Sequence, residues 1–382
     1  MPSKTPVPGR SRAQALANER RGTTSPRLHR VTKPGLTRFA TLLVAAWLLS
    51  PFVFALNPDH KLTQYIHRIW QTQPGLPQTS ISAVSQTRDG YIWLGTESGV
   101  VRFDGVRFTP IPELEQAGLG DIWARSFTED SLGRVWILTS DSKLIRVAPH
   151  DVKVFGSEQG LPAGKAACVF QDRGGDIWVC TTAGIGRLKG DTWKLERAEF
   201  PGPPLAGCQT KDDTIWVAGD AWISSIKGTA VNSKPFGSVP AGSDIYSMVC
   251  RDDGIWIGTF RGLLRFTGDN ERLYVNADGL VGSIILSLVN GKHGELWIGS
   301  QNGVSRYANE HFDNFSYEDG LSQKDVFSLF EDREGSLWVA TKHGLNQFLD
   351  GPVTPFTRKE GLPSDNVGPS SKTRLVRFGS AL

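Results

Sequence analysis

The groups in this chain whose types could do chemistry are seven histidines, four cysteines and a set of Asp-Gly turns. The histidines are His29, His60, His67, His150, His293, His311 and His343, and no two stand at metal-ligand spacing. His293 and His343 fall in turns, and the body's histidines are expected to be solvated. Cys168, Cys180, Cys208 and Cys250 also lack metal-ligand spacing. They can form disulfides or remain buried thiols. Simple hairpin pairing puts Cys168 and Cys180 on opposite faces, so bonds between neighbouring repeats are the expected form of any pairing. Asp89-Gly90 and Asp332–Gly335 have residue types that can bind calcium, but Asp and Gly are also ordinary turn formers. No Gly-x-Ser-x-Gly elbow and no phosphate loop occurs. The expectation is a protein with no catalytic residue, no metal and no cofactor.

The elements that must position any site announce themselves through tryptophan. Trp93, Trp136, Trp178, Trp216, Trp256, Trp297 and Trp338 follow one another at steps of 43, 42, 38, 40, 41 and 41 residues. Each lies in one phrase, as in Asp89-Gly90-Tyr91-Ile92-Trp93-Leu94-Gly95-Thr96 and Gly335-Ser336-Leu337-Trp338-Val339-Ala340-Thr341. A polar turn with glycine precedes a run too short for a helix and rich in Ile, Val, Leu and Trp, which reads as a strand. A second turn glycine follows six residues after the Trp in five copies, at Gly99, Gly184, Gly262, Gly303 and Gly344. Two more strands follow, the last ending on an aromatic such as Phe108, Phe155, Phe315 or Phe356.

Four short antiparallel strands per period of about 40 residues make a propeller blade, and seven periods predict an all-β, seven-bladed β-propeller. The tryptophans are expected to pack between blades. Small residues two places on, such as Gly95, Gly258 and Gly299, let blades approach. The recurring Arg102, Arg146, Arg187, Arg265 and Arg306 are expected to pack or to pair between blades. Leu62–Trp70 is expected to supply an outer strand that closes the ring with the last blade. Blades 2 and 4 depart furthest from the phrase.

A repeated scaffold puts function where the repeats differ. On one face, the loops into each innermost strand and between the second and third strands carry Trp123, Arg125, Lys165, Trp222, Asp244, Tyr246, Phe260, Arg261, Lys324 and His343. Aromatic rings beside charged groups suit a sugar, which stacks its C–H faces and hydrogen-bonds its hydroxyls. The expected partner is a small molecule or an oligosaccharide.

Charge divides the chain. Residues 1–38 hold nine Lys/Arg and one acid, whereas the remainder holds 33 Lys/Arg and 38 Asp/Glu. The mildly acidic body argues against nucleic acid as a partner. The basic, disordered-reading segment 1–38 leads into an apolar run at 39–56, read as a signal peptide or membrane anchor. Export to the periplasm follows. Arg20-Arg21 lies too far upstream to be a strong twin-arginine signal. The propeller is assigned to 60–367. Gly361-Leu362-Pro363 opens an eighth repeat, and the pattern then stops in an aberrant tail at 368–382. This is read as truncation of a longer protein.

The phrases at Gly75–Gly105, Gly160–Arg187, Gly254–Phe266, Gly279–Arg306 and Gly320–Phe348 closely resemble the two-component regulator propeller repeat. The resemblance implies the periplasmic sensing part of a membrane receptor whose output is a histidine kinase or diguanylate cyclase. These 382 residues contain neither output motif and no β-sandwich, so the resemblance implies sensing without an output of its own. The alternative is a propeller enzyme, a lyase or hydrolase acting on a polysaccharide or small lactone.

Overall fold

The computed structural model describes residues 56–72 and 75–362. The calls on 1–38, on most of the 39–56 apolar run and on the 368–382 tail lie outside the described residues, as does the end of the eighth-repeat phrase. The described chain forms seven four-stranded antiparallel sheets. In blades 1 to 6 the four strands run in sequence order from the innermost to the outermost. Blade 5 is representative: Ile245–Arg251, Gly254–Thr259, Leu263–Thr267 and Asn270–Tyr274. Its second strand is buried from Ile255 to Thr259, because both faces of a blade are covered by neighbours.

The repeat phrase has a physical job at each position. Every periodic Trp sits in an apolar cluster with the following blade. Trp136 packs with Val169, Ile177 and Trp193 of blade 3, and Trp338 with Ile81, Ile92 and Phe103 of blade 1. The indole N–H needs an acceptor once buried. The turn aspartate supplies it: Trp136 Nε1 donates to Asp130 Oδ2 at 2.8 Å, and Trp338 Nε1 to Asp332 Oδ2 at 2.7 Å. Asp332 Oδ1 also accepts from the Ser336 backbone at 2.7 Å. These aspartates are therefore turn formers that also anchor a ring.

The small residue two places after the Trp is dictated by closeness. A Cβ on Gly299 would lie 2.7 Å from Val326 Cγ1 of the next blade, and one on Gly95 would lie 2.8 Å from Ala124 Cβ. The Thr or Ser one place further closes the next turn, as in Thr259 Oγ1 donating to the Gly262 carbonyl at 2.9 Å. The periodic arginines pair directly across from the tryptophans. Arg146 bridges to Asp191 of the next blade at 2.6 Å, and Arg265 to Glu310 at 3.3 Å.

Closure uses the beginning of the described chain. Ile66–Trp70 pairs antiparallel with Gly344–Leu349, the third strand of blade 7, in register from Ile66↔Leu349 to Trp70↔Leu345. The predicted closing strand is thus in place. The prediction that blade 7 ends in a strand at Phe356 fails. Phe356 is 62% exposed and lies in no strand, because Ile66–Trp70 already occupies the edge it would need. Trp70 stacks on Trp338 at 5.6 Å, and His67 stacks on Phe348 at 4.6 Å.

The expectation of solvated histidines fails at His67. It is half-buried at the seam, with Nε2 3.1 Å from Asn346 Oδ1. The cysteine expectation is half corrected. Cys208–Cys250 joins blades 4 and 5, but Cys168–Cys180 bonds within the blade 3 hairpin. The loop there holds five residues, Asp172 to Asp176, so Gln171 pairs with Ile177 and Cys168 falls directly opposite Cys180 on one face.

Two outcomes follow. Burial holds the His67 pKa below its ordinary value, against a smaller opposing effect of the Asn346 contact. The unfolded chain then binds the proton more readily, so stability is complete above about pH 6.5 and declines as pH falls below it. Wild type should lose up to about 1.4 kcal/mol by pH 5.5 from this group, and His67→Phe should lose less over the same range. Equal declines in unfolding free energy would contradict the assignment. The bond Cys208–Cys250 closes a 42-residue loop. Replacing both by Ser should cost about 2–4 kcal/mol in denaturant unfolding, and a loss below about 0.5 kcal/mol would refute a stabilising role.

Candidate functional site

Each innermost strand begins at one end of its blade, and the turn between second and third strands lies at that same end. A backbone hydrogen bond ties the two loops together: Ser140 N–H to Trp123 O at 2.9 Å, Thr182 N–H to Lys165 O at 3.0 Å, and Phe260 N–H to Asp244 O at 2.9 Å. The result is a ring of shelves that forms the rim of the propeller. Trp123, Lys165, Asp244 and Phe260 stand on these shelves and are exposed. Lys324 precedes the innermost strand of blade 7, and His343 lies in that blade's second turn; both are exposed.

Six of the seven innermost strands carry a β-bulge at the rim. The register skips Ser82, Arg125, Ala167, Tyr246, Leu286 and Phe327. A bulge frees a side chain from the ladder and re-aims it, and bulges concentrate near functional sites. Arg125 and Tyr246, selected from the sequence, are both bulge residues. Ser82, Ala167, Leu286 and Phe327 were missed. The register break that marks them depends on how each inner strand aligns with the Trp strand, which the inner strand's own sequence does not display.

Blade 5 gathers the densest group. Tyr246 and Phe260 are each 41% exposed, and Arg261 lies over the Phe260 ring at 5.7 Å. The Tyr246 hydroxyl stands 3.4 Å from Asp244 Oδ2. Burial, then the Asp244 charge, pushes the Tyr246 pKa up, so it remains a neutral hydrogen-bonding phenol. Asp220, not selected from the sequence, orders the approach to this group. Its carboxylate accepts from Gly242 N–H at 2.8 Å and Ser243 N–H at 3.1 Å, holding the loop that leads into Asp244. On blade 2, Trp123 is 43% exposed, two residues from Arg125.

Trp222 is the exception among the ten. It is 4% exposed and stacks on Phe200 at 5.5 Å. The tight turn at Asp220-Ala221 pairs Gly219 with Trp222 and folds the ring inward, where it repairs the core of a degenerate blade. It is a packing residue. Among the described residues no group of three or more His, Cys, Asp or Glu is placed to hold a metal ion. Clefts of 290, 240 and 380 Å³ open near the other end of the blades, and none is lined by any of the ten. The exposed rim side chains offer flat rings and charged hydrogen-bonding groups.

Residues 75–98 and 320–343 match the family described as two component regulator propeller. No curated protein matches the sequence. Among solved structures, the extracellular domain of a protein described as a hybrid two component system from B. thetaiotaomicron is 17% identical with a TM-score of 0.60. That likeness covers 75% of this chain and 41% of that one, so this chain spans less than half of its length. A catalytically inactive virginiamycin B lyase from Staphylococcus aureus, solved with quinupristin, is 15% identical with a TM-score of 0.60, covering 75% and 99%. YCF48 from Cyanidioschyzon merolae is 12% identical with a TM-score of 0.53, covering 74% and 98%. Identities this low show a shared fold. The described chain is a seven-bladed β-propeller carrying two component regulator propeller repeats.

Proposed function

We propose that this propeller is the ligand-binding part of a two-component-type receptor, works outside the cytoplasm, and binds without turning its ligand over. The observation that carries the reading is the rim, where exposed aromatic rings stand at positions at which the repeats diverge: Trp123 near Arg125 on blade 2, and Tyr246 and Phe260 near Asp244 and Arg261 on blade 5. Flat rings with adjacent charged groups suit a small oligosaccharide or a comparable polar metabolite. Two disulfides support an oxidising compartment, since such bonds are rare in cytosolic proteins. The family match supports a role in two-component signalling, with the output step carried by a module outside the propeller.

The second reading, an enzyme, draws on the likeness to virginiamycin B lyase, whose chain is covered almost completely. The test is a thermal-shift screen of oligosaccharides and small metabolites, followed by analysis of each hit for chemical change. A stabilising ligand recovered intact supports binding, and a gain of about 2.7 kcal/mol corresponds to ligand at about 100 times its Kd. In the variants Tyr246→Ala and Trp123→Ala, the response should fall by about tenfold in affinity each, with unchanged unliganded melting. A ligand consumed by the protein would favour the enzyme. No response across the library would remove the sugar reading.

A further inference from the structure

Five blades place an arginine directly opposite the repeat tryptophan: Trp93↔Arg102, Trp136↔Arg146, Trp178↔Arg187, Trp256↔Arg265 and Trp297↔Arg306. Where it covers the indole, the guanidinium lies 5.2 Å from the Trp178 ring and 4.9 Å from the Trp256 ring. In blades 2 and 5 the arginine also reaches an acid on the next blade's turn between third and outer strands, Asp191 or Glu310. Blade 5 thus shows a complete seat for a guanidinium at the blade junction, with an indole floor and a carboxylate from the neighbour, filled from within; blade 2 has the neighbour's carboxylate with Phe155 as the ring, and blade 3 has the indole with Asp176 of its own blade.

Two blades lack the arginine. Blade 7 has Gln347 opposite Trp338, and Trp70 of the closing strand stacks there instead. Blade 4 has Ser225 opposite Trp216. Trp216 is half-buried, whereas Trp136, Trp256 and Trp297 are fully buried. Clefts of 380 and 240 Å³ both reach Trp216 and Gly268 of the next blade. A Cβ added at Gly268 would meet no atom within 4 Å, so the entrance is open.

The neighbour's acid is still in place. Asp269 occupies the same third-to-outer turn of blade 5 that Asp191 and Glu310 occupy in theirs. Among the described residues its one ion pair is with Lys234 Nζ at 3.6 Å, and its side chain is fully exposed; Lys234 Nζ also donates to the Gly268 carbonyl at 3.0 Å and lies 5.2 Å from the Phe266 ring. Together the two clefts are lined by four carboxylates, Asp212, Asp252, Asp253 and Asp269, which pair with Lys227, Lys211, Arg251 and Lys234 respectively; the pair at Asp269 is the longest of the four. Lys234 is half-buried, but its pairing with the fully exposed Asp269 is long and solvated, so it contributes little and can be displaced. A guanidinium adds what lysine lacks, a flat face for the indole and a fork for the carboxylate. Cys208 pairs with Trp216 across the sheet and bonds to Cys250 of blade 5, which fixes the spacing between the two walls.

We infer that the cleft at Trp216, between blades 4 and 5, binds a guanidinium group supplied either by a small molecule or by an arginine side chain of a partner. The cleft lies at the opposite end of the blades from the rim, so the inference stands apart from the proposed function. Ser225→Arg should restore the repeat, fill the seat and raise the melting temperature. The experiment is titration calorimetry with butylguanidine, with a blocked Ala-Arg-Ala tripeptide, and with butylamine as the ammonium control. Wild type should bind at least one guanidinium ligand in the millimolar range, about tenfold tighter than butylamine. Ser225→Arg should abolish that binding and Ser225→Ala should retain it. The tighter of the two guanidinium ligands identifies the source. Should Ser225→Arg fail to fold, Asp269→Asn, on a fully exposed turn, should weaken binding several-fold. Absence of binding by either guanidinium ligand up to about 10 mM, equal response to butylamine, or binding unchanged in Ser225→Arg or Asp269→Asn would overturn the inference.

Discussion

Five residue pairs, from Ile66↔Leu349 to Trp70↔Leu345, hold the ring shut. A blade has no core of its own. Each apolar cluster spans a Trp strand and the following blade, so every blade needs a neighbour on both sides. Closure is what supplies the seventh interface, in which Trp338 of blade 7 packs on blade 1 with Trp70 against it. The geometry leaves little latitude. Gly344 has φ of +135°, and a Cβ there would stand 2.6 Å from the Trp70 carbonyl. Beyond the strand, Leu62 N–H donates to Asp313 at 2.8 Å, and Thr63 Oγ1 donates to Glu360 at 2.5 Å. The seam is thereby fastened beyond its Ile66 end.

A scaffold this repetitive assigns most of its distinctive residues to packing. The Trp indoles, the turn aspartates and the cross-strand arginines form one packed system, in which the buried indole N–H groups of Trp136, Trp178 and Trp338 are met by Asp130, Asp172 and Asp332. Individuality is left to two zones. At the rim, bulges release single side chains from six inner strands, and two of these are Arg125 and Tyr246. At the opposite end, individuality takes the form of a missing part, Ser225 where five other blades carry arginine.

Much of this was legible in the sequence because its causes are local. The period, the turn glycines and the small residue after each Trp report hairpins and close blade contacts directly. The closing role of Leu62–Trp70 was legible because its spacing to Gly75 repeats that of the outer strands. What was not legible depends on register or on distant chain. Phe356 matched an outer-strand pattern, but that edge was already taken by a strand from the other end of the ring. Cys168 and Cys180 needed the true loop length to be placed on one face. Trp222 looked free in a degenerate blade until Phe200, from a long preceding loop, was seen to cover it. His67 resembled any strand residue, and only the partner strand revealed Phe348 and Asn346 around it.

Every blade depends on closure being as firm as the rest of the ring. Native-state hydrogen exchange of the backbone amides in Ile66–Trp70, compared with those in Gly344–Leu349, measures this directly. Both strands should open only with the whole ring, at one shared free energy. Rapid exchange in Ile66–Trp70, while the inner strands of blades 1 to 6 stay protected, would contradict it.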